Sequence, residues 1–159
     1  MQSQGWTLLF HDCLVQQLER LSAACDRARS SDPEGWESNA NVKLFHALSR
    51  LMLKTIPADP GTPAFRQGKT LGKSHSHWRR AKIGRRFRLF FRYDTTSRII
   101  IYAWVNDQNT LHQAGSKSDP YTVFKKMLHQ GNPPDDWKSL LAQTQAHNPD
   151  MIRQDAHSP

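Results

Sequence analysis

Acidic residues are missing from a long central part of this sequence. Residues 60–93 include no aspartate or glutamate, although ten of the 22 lysines and arginines of the chain fall there. The formal net charge of +8 is therefore local, because the rest of the chain carries a small excess of acidic groups. A concentrated positive charge favours a polyanionic partner, and RNA is the best candidate.

Cysteines and long apolar runs are scarce as well. A helix that contains both cysteines, Cys13 and Cys25, would hold them about 18 Å apart, too far for a disulfide within that helix. Two isolated cysteines also make a poor zinc site.

No apolar run approaches the roughly 18 residues of a membrane span, and residues 1–5 lack the features of a secretory signal. We therefore expect a cytoplasmic protein with no membrane partner.

The chain length predicts one domain. A chain of 159 residues with 37% hydrophobic content can bury a single sizeable core. We assign residues 1–145 to this domain, and no second domain is needed to account for the chain. The polar tail, residues 146–159, is predicted to be disordered.

Hydrophobic spacing predicts a strand and two helices in the N-terminal part of the chain. Residues 6–10 form a short apolar run with β character, and Asp12 is a suitable N-cap for a helix that runs to about Arg29. A second helix is predicted to begin at Asp32, where a proline follows in the first helical position, and to end at Pro57. The two helices are expected to pack as an antiparallel hairpin.

A loop and three strands are predicted next. Residues 61–76 are rich in glycine, proline, serine and histidine, which indicates a loop. Residues 78–83, 86–93 and 99–104 have the composition of strands, and the short connections between them imply an antiparallel meander. Two further helices are predicted, one starting near Tyr121 and a short one starting near Trp137.

Alternation in the second strand separates an apolar face, expected to pack on helices, from a basic face. The basic face consists of Arg86, Arg88, Phe90 and Arg92. Arg80 and Lys82 alternate in the same way on the preceding strand, so antiparallel pairing would gather these cations on one surface. Such a surface could hold RNA and stabilise the pentacoordinate phosphate formed when a ribose 2′-hydroxyl attacks it. A solvated basic face or a noncatalytic platform needs the same residues, so the charge pattern leaves both interpretations open.

Metal-dependent chemistry is not predicted. Magnesium-dependent nucleases need clustered carboxylates, whereas the basic stretch has none and Asp107 stands alone beside it. His75 and His77 lie two positions apart in the predicted loop, without a nearby cysteine or carboxylate ligand. We interpret them as solvated loop histidines and expect neither a metal site nor a cofactor.

Several other residues have side chains suited to RNA binding or cleavage. Arg66 and Lys69 of the predicted loop are candidate RNA contacts. Trp104 could stack on a base or lie buried at the end of a strand. Tyr121 could relay a proton near the arginines or pack in the core, and His112 could act as an acid or base near neutral pH.

An ordered series of motifs runs from residue 5 to residue 140. In chain order the residues are Gly5 and Trp6; Pro63, Ala64, Phe65 and Arg66 with Gly68, Leu71 and Gly72; Arg88, Leu89, Phe90, Phe91, Arg92 and Tyr93; Trp104, Asn106, Asp107, Thr110 and Leu111; Asp119, Tyr121, Thr122, Val123 and Phe124; and Gly131, Pro133, Pro134, Asp136 and Trp137. This series resembles the YhaV family of bacterial toxins, which are members of the RelE/ParE toxin superfamily. An ordered set of motifs is far more specific than a cluster of cations.

The resemblance implies an α+β, RelE-like fold, in which two N-terminal helices pack on a twisted antiparallel β-sheet with C-terminal helices. It implies a type II toxin that acts as a metal-independent mRNA endoribonuclease, with mRNA on the ribosome as the expected substrate, and so blocks translation and growth. The implied antitoxin is a PrlF-type protein with an AbrB-like DNA-binding domain. Toxin and antitoxin together are expected to bind operator DNA and repress their own operon.

The resemblance also implies roles for individual residues. Arg80 and Lys82 match the cationic positions of the first meander strand, Arg88 matches the arginine of the central strand, and Tyr121 matches the tyrosine that opens the following helix. His112 departs from the pattern, because related toxins often place arginine or lysine there. We predict that the three cations hold phosphate and that Tyr121 or His112 assists proton transfer. The alternatives are a noncatalytic RNA- or DNA-binding module and a gyrase-inhibiting ParE-like toxin.

Overall fold

A five-stranded sheet forms the centre of the molecule. The computed structural model describes residues 1–106 and 119–144. The strands are β1 (Gln2–Ser3), β2 (Trp6–Phe10), β3 (Arg79–Ile83), β4 (Phe87–Asp94) and β5 (Ile99–Val105), and their order across the sheet is β1-β2-β5-β4-β3. The helices are α1 (Asp12–Ser31), α2 (Ala40–Arg50), α3 (Ile56–Ala58), α4 (Pro120–His129) and α5 (Trp137–Thr144). The α+β class is therefore confirmed, and none of the described helices is both long and apolar enough to cross a bilayer.

The sheet is mixed, so the prediction of a wholly antiparallel sheet is wrong. The predicted antiparallel meander is present in β3, β4 and β5, but β2 pairs with β5 in parallel, with Leu8 opposite Ile100. Short connections in a sequence indicate how consecutive strands pair. They contain no information about β2 and β5, which are separated in the chain by the helices α1 to α3 and by two strands.

Helices cover both faces of the sheet. On one face, α1 and α2 enclose the larger core cluster, which includes Phe10, Leu48 and Phe91. On the other face, residues of α4 and α5 join a second cluster that contains Phe90 and Phe124. β5 is buried along almost its whole length, as expected for a strand that has helices on both sides. The basic face predicted from strand alternation therefore shares its side of the sheet with an aromatic core.

The N-terminal helices begin at caps other than the predicted ones. His11 caps α1, because its Nδ1 accepts a hydrogen bond at 3.1 Å from the backbone N–H two residues later, and Asp12 is the first helical residue. Asp32 does not begin α2; its carboxylate accepts a backbone N–H of a turn at 3.1 Å. Asn39 caps α2 through its side-chain oxygen at 2.9 Å. Aspartate and asparagine are almost equally good caps, so residue type alone could not select the cap.

The second helical segment continues past α2 as a π-helical turn, Leu51–Thr55, which leads directly into α3. Other elements donate hydrogen bonds to its carbonyl oxygens. The Tyr102 hydroxyl donates to the Met52 oxygen at 2.6 Å, and the Ser3 hydroxyl donates to the Leu53 oxygen at 2.7 Å. Tyr102 is fully buried, and burial raises the pKa of its hydroxyl well above the ordinary value. These bonds attach β1 and β5 to the π-helical turn, where the normal helical hydrogen-bond pattern is interrupted.

Substituting Tyr102 by phenylalanine tests the bond to the π-helical turn. We expect Tyr102→Phe to lower the free energy of unfolding by about 1–3 kcal/mol, because the buried Met52 carbonyl loses a hydrogen-bond donor. Denaturant unfolding of the purified proteins measures this change. Tyr93→Phe, at a partly exposed ring, is the matched control and should change stability less. Equal stabilities of wild type and Tyr102→Phe would show that the bond makes no net contribution.

Candidate functional site

Three cations lie together on β3 and β4. Lys82 is directly opposite Arg88 in the antiparallel register, and Arg80 is opposite Phe90. Because alternate residues of a strand share a face, Arg80, Lys82 and Arg88 occupy the same side of the sheet. We call these three residues the cationic face. The register confirms the prediction that strand pairing gathers them.

Among residues 1–106 and 119–144, no ion pair with a carboxylate balances the positive charge of the cationic face. Lys82 and Arg88 are like charges in directly opposite positions, an arrangement that costs free energy in a sheet. Within residues 1–106 and 119–144, the ion pairs both join a histidine to Asp135 and involve no lysine or arginine. An anionic ligand would neutralise this excess charge.

Arg80 connects β3 to the start of α4. Its Nε donates to the hydroxyl oxygen of Tyr121 at 3.0 Å, and its Nη1 donates to the carbonyl oxygen of Ala64 at 2.8 Å. The Tyr121 ring is buried and meets Phe90 edge-on, with centroids 5.6 Å apart. A hydroxyl that accepts a bond from Arg80 keeps its capacity to donate its own proton. Tyr121 thus combines both interpretations of the sequence: its ring packs in the core and its hydroxyl meets the cationic face.

Arg88 is the most buried member of the cationic face, with 5% of its surface exposed. Its Nη1 donates to the carbonyl oxygens of Phe87 at 2.8 Å and Gly84 at 3.4 Å. Its Nε is buried and has no hydrogen-bond partner among the described residues. The Asn106 side chain fixes the strand here by accepting the Arg88 backbone N–H at 2.6 Å. Buried donors are almost always satisfied in folded proteins, so this one indicates a position where an additional acceptor would be favourable.

A bulge lies beside the cationic face. Phe90 pairs with Trp104, whereas Phe91 pairs with Tyr102. Ala103 is therefore an extra residue in β5, and such bulges are common next to active sites. The Trp104 ring stacks near Phe90, with centroids 6.0 Å apart, and only 7% of the residue is exposed. This position agrees with the alternative of burial at a strand end and does not agree with the predicted stacking of Trp104 on an RNA base.

Three of the predicted RNA contacts are exposed. Arg66 and Lys69 lie in the loop before β3, and Arg86 lies in the turn before β4. Arg66 forms an isolated antiparallel bridge with Arg79, which places this part of the loop along β3. The exposed cations can therefore contact a polyanion that extends beyond the cationic face.

Arg92 lies on the same side of the sheet but is enclosed by aromatic rings. Its guanidinium lies 5.5 Å from the ring centroid of Trp78 and 5.4 Å from that of Trp137, and its Nη1 donates to the backbone carbonyl of Asp135. Burial lowers the pKa of Arg92, against the opposing effect of nearby acidic groups. Arg92 is nevertheless partly exposed, so its predicted RNA contact stays a prediction. Strand alternation identified the correct face, but it could not show that α5 and the segment before it cover Arg92.

The Asp135 side chain forms hydrogen bonds with two histidines that are distant from it in the sequence. Its Oδ1 accepts hydrogen bonds from Trp78 Nε1 at 2.7 Å, His77 Nε2 at 3.0 Å and His75 Nδ1 at 3.1 Å. We call His75, His77 and Asp135 the histidine–aspartate cluster. The expectation that neither histidine has a carboxylate neighbour is wrong, because both contact Asp135. The interpretation as a solvated side chain is wrong for His75, which is buried, whereas His77 is exposed as predicted. The carboxylate lies 58 and 60 positions away, so local sequence gave no signal for it.

Burial and neighbouring charges shift two pKa values in the histidine–aspartate cluster. Burial and the Arg92 cation lower the pKa of His77, although the hydrogen bond to Asp135 opposes this change. Burial acts to raise the pKa of Asp135, but hydrogen bonds from Trp78 and the two histidines outweigh that effect and lower it. The shifts favour a neutral His77 beside an ionised Asp135 at neutral pH.

His112 and Asp107 lie outside the described residues. The role of His112 as an acid or base therefore stays a prediction. The tail at residues 146–159 also lies outside the described part of the chain, and its disorder stays a prediction.

Comparison with known proteins identifies the family. A family model described as a toxin with endonuclease activity, of a toxin–antitoxin system, matches residues 8–145. The chain belongs to the YhaV toxin family. Toxin YhaV of Escherichia coli O6:H1 (strain CFT073) is 42% identical over 143 residues, which cover 89% of this chain and 93% of that protein. Ribonuclease toxin YhaV of Escherichia coli (strain K12) is 41% identical over the same shares, and no solved structure gives a significant match.

The YhaV match includes the cationic face, Tyr121 and the histidine–aspartate cluster. The resemblance inferred from the motif series is therefore confirmed. This member of the YhaV family is a toxin of a toxin–antitoxin system with endonuclease activity, and an antitoxin is its implied partner.

Proposed function

We propose that this toxin is an mRNA endoribonuclease whose cationic face holds the scissile phosphate. The observation that carries the proposal is that three cations share one side of the sheet and that one of them, Arg80, donates to the Tyr121 hydroxyl at 3.0 Å. Phosphate is the natural ligand of such a group, because guanidinium N–H groups match its oxygens in geometry and charge. The family description supplies endonuclease activity, and the name of the strain K12 relative supports RNA as the substrate.

The proposed reaction is cleavage by internal attack. The ribose 2′-hydroxyl attacks the adjacent phosphorus and loses its proton; the bond from phosphorus to the 5′ oxygen breaks, leaving a 2′,3′-cyclic phosphate and a 5′-hydroxyl. Arg80, Lys82 and Arg88 stabilise the negative charge that increases on the nonbridging oxygens. These arginines remain charged throughout, so they are not the general base. Tyr121 or His112 assists proton transfer, and the Arg80 contact orients the Tyr121 hydroxyl for that role.

Metal independence is part of the proposal. Residues 60–93, which supply the cationic face, contain no carboxylate that could hold Mg²⁺ beside the phosphate. Guanidinium and ammonium groups supply the positive charge that a metal ion provides in other nucleases.

The proposal extends to the RelE-like relationship and to the partners. It is supported by the antiparallel β3–β4–β5 meander and by the two N-terminal helices on one side of the sheet. We propose a PrlF-type antitoxin with an AbrB-like DNA-binding domain, an acidic segment of which would cover the cationic face. We also propose autoregulation of the operon through operator DNA, a cytoplasmic location and mRNA on the ribosome as the substrate.

Mapping the ends of cleaved mRNA tests the proposed function. Purified full-length toxin is incubated with mRNA in the presence and absence of translating ribosomes, with and without excess EDTA. We expect new 5′-hydroxyl ends and 2′,3′-cyclic phosphates whose formation EDTA does not prevent. RNA that is bound but intact in every arm would support the noncatalytic module, and inhibition of gyrase supercoiling without RNA cleavage would support the ParE-like alternative. Cleavage that requires added Mg²⁺ would contradict metal independence.

Tyr121→Phe tests the proposed proton donor. We expect the single-turnover cleavage rate to fall by about 10-fold, less than the about 100-fold or more that a sole general acid contributes, because His112 offers a second route. An RNA with sulfur in place of the 5′ bridging oxygen has a leaving group that needs no proton, so the defect should disappear with this substrate. Tyr93→Phe is the matched control. An unchanged rate with ordinary RNA would exclude the Tyr121 hydroxyl from the mechanism.

A further inference from the structure

We propose that His75, His77 and Asp135 form a binding site for a divalent transition-metal ion, with Zn²⁺ as the best match. Their ligand atoms, two imidazole nitrogens and one carboxylate oxygen, all lie within 4.8 Å of one another. Ligands at about 2.1 Å from a tetrahedral zinc ion lie about 3.4 Å apart. The distances of 3.0 and 3.1 Å from Asp135 Oδ1 to the two nitrogens are close to this value. The two nitrogens lie within 4.8 Å of each other, so a closer approach of the two imidazoles would place all three ligands around one ion.

The types of ligand select the class of metal. Imidazole suits zinc and its neighbours in the first transition row, whereas Mg²⁺ and Ca²⁺ prefer sets of oxygen ligands. Zinc sites usually have four ligands. His129, in the last turn of α4, has its ring centroid 5.8 Å from that of His75 and is a candidate for the fourth position, which water fills in many sites. The expected ligand set is two or three histidines and one aspartate.

The surroundings of Asp135 resemble those of a metal-bound carboxylate. Trp78 Nε1 donates to its Oδ1 at 2.7 Å, and outer hydrogen bonds of this kind orient metal ligands and are important for affinity. The His75 segment is also fixed, because Gln67 donates to the His75 carbonyl at 3.1 Å. Arg92 is a nearby cation that would oppose a metal ion, but it donates its hydrogen bond to the Asp135 backbone carbonyl, which leaves the carboxylate for other partners.

Hydrogen bonding alone gives a less satisfactory account of the cluster. Three nitrogen donors converge on Oδ1 of Asp135, although one carboxylate oxygen has only two lone pairs. A metal ion would change this arrangement, because the two imidazole nitrogens would bind the ion and only Trp78 would donate to the carboxylate. The residues would move little, and the excess of donors would be removed.

The proposed metal site lies apart from the cationic face and goes beyond the proposed cleavage reaction. It joins the segment that precedes β3 to the segment that precedes α5. A bound ion would therefore act as a cross-link between distant parts of the chain and would stabilise the folded toxin in proportion to its occupancy. The cleavage reaction proposed above includes no step at this site, so the two proposals can fail independently.

Metal titration of the full-length protein tests the site. Chelator-treated wild type, His77→Ala, Asp135→Asn and His46→Ala are titrated with Zn²⁺ by calorimetry, and their circular dichroism spectra verify folding. We expect one equivalent of Zn²⁺ to bind to wild type and to the control His46→Ala, which removes a histidine of α2. Affinity should fall by more than about 100-fold in His77→Ala and in Asp135→Asn, because even loss of an outer-shell partner costs about 10–100-fold in known sites.

Two further measurements, both on the wild-type protein, test the metal site independently of the variants. X-ray absorption of the Zn²⁺ complex should show nitrogen and oxygen ligands with imidazole scattering, and Zn²⁺ should raise the melting temperature of the chelator-treated protein. The proposal is overturned if wild type shows no saturable stoichiometric binding, if imidazole scattering is absent, or if folded His77→Ala binds Zn²⁺ as tightly as His46→Ala does.

Discussion

Replacing Arg80 by alanine is expected to lower the rate of RNA cleavage by about 100- to 1000-fold, the usual cost of removing one preorganised donor from a transition state. Arg80→Ala removes a positive charge from the phosphate site and also the 3.0 Å bond that orients the Tyr121 hydroxyl. Single-turnover cleavage of mRNA measures the rate. Growth arrest on induction of the toxin should be lost in parallel, because the proposed function attributes the arrest to RNA cleavage.

Two further variants separate charge from geometry at this position. Arg80→Lys keeps a positive charge but loses the planar guanidinium and its bond to Tyr121, so we expect an activity between those of wild type and Arg80→Ala. Arg50→Ala removes an exposed arginine at the end of α2 and should leave cleavage unchanged. If folded Arg80→Ala cleaves RNA at the wild-type rate, the cationic face is not the catalytic site.

Local patterns in the sequence were sufficient for the meander and for the cationic face. Alternation along a strand fixes which side chains share a face, and short turns fix the antiparallel partner. The position of Lys82 and Arg88 on one face follows from these two rules, and the structure confirms it. The same rules apply to Arg92, but they say nothing about what covers a face, and Trp78 and Trp137 enclose this residue.

Contacts between distant segments could not be predicted from local patterns. The parallel pairing of β2 with β5 depends on how the helices between them pack, and no turn signal marks it. The meeting of His75 and His77 with Asp135 is a similar case, since the α4 segment and the three strands lie between them in the chain. The face of the sheet on which Trp104 is buried depends on a bulge of one residue, for which the sequence contains no local signal. Contacts of this kind determine which side chains lie beside the cationic face, and they form the separate histidine–aspartate cluster.

The position of Arg88 has a consequence for stability. Within the part of the chain that the structure describes, the Nε of the buried Arg88 guanidinium lacks a partner, which is costly to the folded state, and the opposing Lys82 adds like-charge repulsion. A residue that served only the fold would be better replaced by an apolar side chain of similar length. Strain of this kind is characteristic of functional sites, where stability is given up for a group that the reaction needs.

Arg88→Met is therefore expected to separate stability from activity. We expect the cleavage rate to fall by about 100-fold or more, because a phosphate-binding charge is lost. The free energy of unfolding should stay unchanged or rise by about 1 kcal/mol, since replacing a buried charge by a well-packed apolar side chain is often neutral or stabilising. Denaturant unfolding and single-turnover cleavage measure the two quantities on the same protein samples.

The neighbouring residue provides the control for Arg88→Met. Leu89 is fully buried on the other face of β4, and Leu89→Ala should lower the free energy of unfolding by about 2–5 kcal/mol through loss of core packing. A loss of comparable size in Arg88→Met would show that Arg88 is a structural residue. Wild-type cleavage by a folded Arg88→Met would remove it from the site. Stability retained together with activity lost is the result that only a functional role predicts, because neither a core residue nor a solvated surface charge would give both.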